Sequence, residues 1–203
     1  MTEQPHKTTR GRGAAGNPDN RYAAHQRETV YDGWYAEEIE PLRTLLQVDT
    51  SRTIISYNRS PDIPFDRSVN PYRGCEHGCV YCYARPTHAW LGLSPGLDFE
   101  SRLFYKPDAG RQLEQALAKP GYSPDTLVLG ANTDPYQPVE KRMRITRQIL
   151  EVLAACRHPT AITTKSGLVL RDLDLLVPMA EQRLAAVLVS VTTLDPGLAR
   201  CLE

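Results

Sequence analysis

Thr126-Leu127-Val128-Leu129-Gly130-Ala131-Asn132-Thr133-Asp134-Pro135 is the stretch whose reading decides the architecture of this chain. Its continuous apolar run suits a strand covered on both faces, as in a parallel sheet. Toward the C-terminus a βα rhythm follows. Ile145, Ile149, Leu150 and Leu153 recur at helical spacing and predict a helix over 141–156. Residues 160–164 and 186–191 read as two further strands, with a helix over 170–180, interrupted by Pro178, between them. Strands alternating with helices imply an α/β fold with parallel strands and right-handed crossovers. About four such units fit the length, too few to close a barrel, and the strand at 186–191 would keep an exposed edge. The sequence stops in what reads as a fresh helix, as expected of an N-terminal fragment.

Toward the N-terminus the signals weaken. Leu113, Ala116 and Leu117 give 109–117 one apolar helical face, and 99–105 alternates enough for a strand. A strand over 69–72 would end at Gly74, where a sharp turn suits glycine. A helix is expected from near Cys79 or Tyr81 toward Trp90, stopped by Gly92-Leu93-Ser94-Pro95-Gly96. Residues 53–57 suggest a short strand, followed by a proline-punctuated loop. Trp34, Tyr35, Ile39, Leu42, Leu45 and Leu46 suggest one helix within 31–52. The chain thus divides into an arm over 1–30, an extension over 31–66 packed on the core, and an incomplete core domain over 67–203. The arm, with Arg10-Gly11-Arg12-Gly13 and Asn17-Pro18-Asp19-Asn20, reads as disordered or loosely held.

The 203 residues are enough for one sizeable domain. Lys plus Arg and Asp plus Glu are 24 each, so no overall field draws in nucleic acid. The mean hydropathy is −0.42 and no long apolar run is present, which argues against a membrane span. The first residues lack the apolar core of a signal peptide, and reduced thiols suit a cytoplasmic setting.

The chemistry concentrates in Cys75-Glu76-His77-Gly78-Cys79-Val80-Tyr81-Cys82. Three cysteines at C-x3-C-x2-C spacing read as thiolate ligands for a soft metal centre. A tetrahedral zinc site needs a fourth ligand, which His77 or His88 could supply. A [4Fe–4S] cluster normally takes four thiolates, so three would leave one iron open for a ligand. Cys156 and Cys201, the two remaining cysteines, read as small core hydrophobes.

The C-x3-C-x2-C motif, with Tyr81 before its last cysteine, resembles that of the radical SAM enzymes. The resemblance implies a partial (β/α) barrel of the radical SAM type, with a [4Fe–4S] cluster on Cys75, Cys79 and Cys82. It further implies S-adenosyl-L-methionine on the open iron and an external electron donor, flavodoxin- or ferredoxin-like. Ser60-Pro61-Asp62-Ile63-Pro64-Phe65, Thr133-Asp134-Pro135-Tyr136-Gln137-Pro138, Thr164-Lys165-Ser166 and Ser190-Val191-Thr192-Thr193-Leu194-Asp195 resemble the branch related to spore photoproduct lyase, whose nearest members have no assigned substrate. Within it, Tyr81 would lie beside the adenine. Asn132, Thr133 and Asp134 would meet the methionine amino group. Lys165 and Ser190 would meet the carboxylate, the ammonium through a charge-assisted bond. A nucleic acid substrate is compatible with this branch. One departure counts against photodimer repair: Ala131 stands where the lyase carries its hydrogen-donating cysteine. Tyr136 is then a candidate relay. Two other readings remain open at this point: a zinc-stabilised nucleic-acid-binding module without catalysis, and a fragment that binds its cofactors without turnover.

Overall fold

The computed structural model describes residues 12–23 and 42–203. Expectations for 1–11 and 24–41, including Trp34, Tyr35 and Ile39, lie outside the described residues. The main sheet has five strands: β2 (Ile55–Tyr57), β3 (Arg67–Val69), β6 (Leu127–Leu129), β7 (Thr160–Thr164) and β8 (Ala185–Val189), in the order β2-β3-β6-β7-β8. β2 runs antiparallel to β3, and the rest are parallel. The parallel α/β arrangement expected from the apolar runs is present, as an open sheet. β6, central in that sheet, has all three residues buried, whereas β8 closes the sheet on one side and is mostly exposed.

α4 (Ile145–Ala155) crosses from β6 to β7, and α5 (Leu173–Glu181) from β7 to β8. α2 (Ala109–Leu117) packs beside α4. Leu113, Ile149, Leu150, Leu153 and Met179 meet Val69, Leu127, Leu129 and Ile162 of the sheet in one core. Each such side chain contributes about 1.5–3 kcal/mol by leaving water.

Several short elements differ from the sequence reading, each for a non-local reason. Of the helix expected within 31–52, the described part, from residue 42 on, instead forms β1 (Leu45–Val48), which pairs in parallel with β5 (Arg102–Tyr105). The expected 69–72 strand is split: β3 stops at Val69, Pro71 lacks the N–H to continue the ladder, and β4 (Tyr72–Arg73) pairs antiparallel with β5 in a second sheet ordered β1-β5-β4. The expected strand over 99–105 starts as a helix, α1 (Leu97–Ser101). Asn17 caps it from 81 residues away, accepting from the Asp98 N–H at 2.8 Å. The helix after the cysteines is a 3-10 turn, Arg85–Leu91. The 141–156 helix breaks at Arg144 (φ 54°) between α3 (Glu140–Met143) and α4. There the buried Glu140 carboxylate accepts from the N–H groups of Thr146 at 3.0 Å and Arg147 at 3.3 Å and so caps α4. The 170–180 segment divides into a 3-10 turn, Gly167–Asp172, and α5, which keeps Pro178. The last helix, α6 (Pro196–Leu202), is capped by Asp195. Cys156 and Cys201 are exposed rather than core. No helix among the described residues is long and apolar enough to cross a membrane.

Candidate cofactor site at the carboxyl ends of the parallel strands

The register sets Val69 beside Leu129, Leu129 beside Ile162, and Ile162 beside Val187. The segments leaving β3, β6, β7 and β8 therefore emerge along one edge, where parallel α/β folds bind ligands. From β3 the chain passes through β4 to the cysteines. Gly74 turns it with φ 78°, and a Cβ there would lie 2.6 Å from Leu103 and 2.7 Å from the Phe99 carbonyl oxygen.

Cys75 and Cys79 are buried and Cys82 is half-buried. Cys75 and Cys82 pack with Ala84 and Phe99, and the Cys75 N–H donates to the Phe99 carbonyl at 2.9 Å. Burial pushes the Cys75 thiol up to about 12 and raises that of Cys82, whose N–H donates to the Cys79 carbonyl at 3.2 Å. The three thiols thus share one neighbourhood, yet among the described residues no three His, Cys, Asp or Glu groups close around a single ion. Thiolates that each bind a different iron of a cube need not converge on one point, as ligands of one ion must. The Cys3His zinc set is not assembled among these residues. His88 Nε2 lies 2.9 Å from the Arg102 carbonyl oxygen, and its ring meets Phe99 edge-on. His77 Nε2 faces Asp134 Oδ2 at 3.5 Å, and burial holds that imidazole below its ordinary pKa.

Two side chains outside the cysteine loop fix it, Gln137 buried and Arg85 half-buried. The Gln137 carboxamide donates to the Gly74 carbonyl at 3.1 Å and accepts from the Glu76 N–H at 3.0 Å, bracketing Cys75. Arg85 donates to the carbonyls of Gly78 at 3.0 Å and Cys79 at 2.9 Å, and pairs with fully buried Glu100 at 2.5 Å. Sequence reasoning left Gln137 and Glu100 without a role. The signal for Gln137 was its place in the rigid proline-bracketed loop after β6; for Glu100 there was none.

Of the residues expected to face the methionine amino group, two turn inward. Asp134 accepts from Thr164 Oγ1 at 2.6 Å, the Tyr136 N–H at 2.8 Å and the Lys165 N–H at 2.9 Å. Buried Thr133 donates to the Tyr72 carbonyl at 2.9 Å. Asn132 lines a cavity of about 290 Å³ with Asn70, Arg73, Trp90 and Lys106. Tyr136 is fully buried and donates to Asp172 at 3.0 Å, so it is walled off from the edge where a relay would act.

Lys165 and Tyr81 do come together. Lys165 Nζ donates to the Tyr81 hydroxyl and to Glu203 Oε1, each at 2.7 Å. Burial alone would lower the ammonium, but these acceptors hold it above its usual range. Tyr81 also meets Thr192 Oγ1 at 2.6 Å and the Glu203 carboxylate. Ser190 follows β8, its N–H donating to the Thr164 carbonyl at 2.9 Å, and is exposed. Glu203, another residue the sequence reading missed, lies over this cluster because the Val80 N–H holds the Leu202 carbonyl at 3.0 Å.

The family model of the radical SAM superfamily matches residues 69–202. This chain belongs to the radical SAM superfamily. Members of that superfamily are enzymes of radical chemistry dependent on S-adenosylmethionine. An uncharacterized Mycobacterium tuberculosis protein is 43% identical over 141 residues, 70% of this chain and 42% of its own. One from Methanocaldococcus jannaschii is 34% identical over 107 residues, 53% of this chain and 38% of its own. One from Acidianus two-tailed virus is 31% identical over 137 residues, 64% of this chain and 43% of its own. The chain thus spans about two fifths of the length of these relatives. No solved structure matches it.

Proposed function

We propose that this chain is the cluster-bearing part of a radical SAM enzyme, in which Cys75, Cys79 and Cys82 hold a [4Fe–4S] cluster whose open iron takes S-adenosylmethionine. The observation that carries this reading is the Lys165 ammonium donating at 2.7 Å to the hydroxyl of Tyr81, in the cysteine loop, at one strand edge. The donor set suits both groups: three thiols in one loop, and an ammonium that already holds a carboxylate, that of Glu203. When bound, these groups supply reductive cleavage of the sulfonium to methionine and a 5′-deoxyadenosyl radical that abstracts hydrogen from substrate.

The protein's own part is to orient and to shield. Lys165 would take the cofactor carboxylate in place of Glu203 through a charge-assisted bond. Tyr81, about half exposed, would flank the adenine, and Ser190 would add a hydroxyl at the carboxylate end. Asp134 and Thr133 would act by fixing the wall beside the methionine amino group, and Asn132 would face it directly. In this reading the four parallel strands open a partial barrel. A flavodoxin- or ferredoxin-like donor in the cytoplasm would supply the electron, and the unassigned substrate would enter beside Asn132. The similarity to the spore photoproduct lyase branch leaves a nucleic acid substrate within this proposal.

Anaerobic reconstitution tests it. About four irons per chain, and 5′-deoxyadenosine on adding dithionite and the cofactor, are expected. Stoichiometric zinc with no visible absorbance would overturn it.

A further inference from the structure

Residues 12–18 and α1 hold each other by bonds that run in both directions. Arg12 donates to the Glu100 carbonyl at 2.5 Å. The N–H groups of Gly13 and Ala14 donate to the Glu100 carboxylate at 3.0 and 2.9 Å. The Leu97 N–H donates to the Gly16 carbonyl at 3.1 Å, and Asn17 exchanges bonds with Asp98. Ser94 Oγ donates to the Pro18 carbonyl at 2.6 Å. Packing closes the same seam. A Cβ on Gly13 would collide with the Gly78 carbonyl oxygen, and one on Gly96 with that of Gly16. This segment, read from the sequence as part of a loose arm, is seated against the back of the cysteine loop.

The other side of α1 faces the cysteines. Its Phe99 carbonyl accepts the Cys75 N–H. Its Glu100 side chain, fully buried, orients Arg85, which in turn gathers the carbonyls of Gly78 and Cys79. Among the described residues, everything that meets the Glu100 carboxylate is a donor: two backbone N–H groups and one guanidinium. Its two oxygens serve all three, whereas a carboxamide would turn an N–H toward one of them. With residues 12–17 absent, the Glu100 side chain would lose two of those donors and α1 would lose its cap.

We infer that Glu100, with residues 12–17 seated on it, is a positioning residue for the cysteine loop: the strap braces α1, and α1 sets Cys75 through Phe99 and Cys79 through Arg85. The inference rests on the cluster reading for its purpose, but its geometry can be tested without iron. Gly13→Val should push the strap off Gly78, and Glu100→Gln should lose at least one of the three acceptor contacts. Ala14→Ser keeps its backbone N–H and serves as the control.

Iodoacetamide labelling of the iron-free full chain, read by mass spectrometry at each cysteine, is the measurement. Labelling of Cys75 and Cys79 is expected to rise about ten-fold in Gly13→Val and Glu100→Gln, as for a local opening eased by one lost buried hydrogen bond. Exposed Cys156 and the Ala14→Ser variant should label as in wild type, and the rise at Cys75 and Cys79 should exceed what any change in melting midpoint accounts for. In iron-loaded protein the same two variants should shift the resonance of the reduced cluster. Unchanged labelling at Cys75 and Cys79 in both variants would overturn the inference. So would labelling that rises only in step with a lowered melting midpoint. If wild type takes up no iron, the proposed function fails while the labelling still decides the role of Glu100.

Discussion

The loop after β6 and the ends of β7 and β8 look alike as sequence, both being polar residues at the carboxyl ends of parallel strands. As structure they differ. The loop from Thr133 to Glu140 turns its side chains into the protein: Thr133 to β4, Asp134 to β7, Gln137 to the two peptides beside Cys75, and Glu140 to the start of α4. At β7 and β8, Lys165, Tyr81 and Thr192 instead gather around one carboxylate near the open edge. The first region is a frame; the second, under the proposed function, is a reader. Polar residues at a strand end therefore do not all have ligands as their purpose, since buried donors and acceptors need partners first.

Substitutions can break or sharpen that contrast. The largest effect is expected at the cysteines themselves: Cys75→Ala should reduce 5′-deoxyadenosine formation to background in the reconstituted protein, followed by chromatography. Next, Lys165→Met should weaken cofactor binding about 10- to 100-fold, the worth of a charge-assisted bond, by calorimetry on iron-loaded protein, with little change in stability. Asp134→Asn should do the reverse. It turns an N–H toward one of three donors and should cost about 1–3 kcal/mol in denaturant unfolding, with a smaller change in cofactor affinity. If Asp134→Asn left stability intact and abolished binding, the frame would be a reader after all. Gln137→Leu leaves the Gly74 carbonyl and the Glu76 N–H unpaired and should cost about as much stability, together with faster loss of iron to a chelator.

The smallest expected effect lies away from the edge. Burial would raise Asp49, but the Lys106 ammonium, the Ser51 N–H and Arg73 outweigh it and hold the carboxyl at about 2, against 3.8 ordinarily. A depressed carboxyl contributes stability above its unfolded pKa and loses it as pH falls through the folded value. Acid unfolding should therefore be less steep between about pH 4 and 2 in Asp49→Asn, followed by circular dichroism.

The sequence made β6, β7 and α2 legible because each carries its own period or apolar run, and the cysteine spacing needed no fold to be noticed. What stayed hidden depends on partners distant in sequence. β1 exists because β5 is beside it, α1 begins where Asn17 reaches it, and the break at Arg144 follows from where the Glu140 carboxylate sits. Asp134 was visible as a polar residue at the right strand end. That its oxygens belong to Thr164, Tyr136 and Lys165 could be seen only in three dimensions.

The Asp134 anchor has a consequence for selectivity. A side chain stitched to the neighbouring strand yields little when something presses on it, so the β6 side of the edge discriminates by refusal rather than by moulding itself to a guest. Under the proposed function, a cofactor analogue with added bulk on that side would have to displace two strands at once.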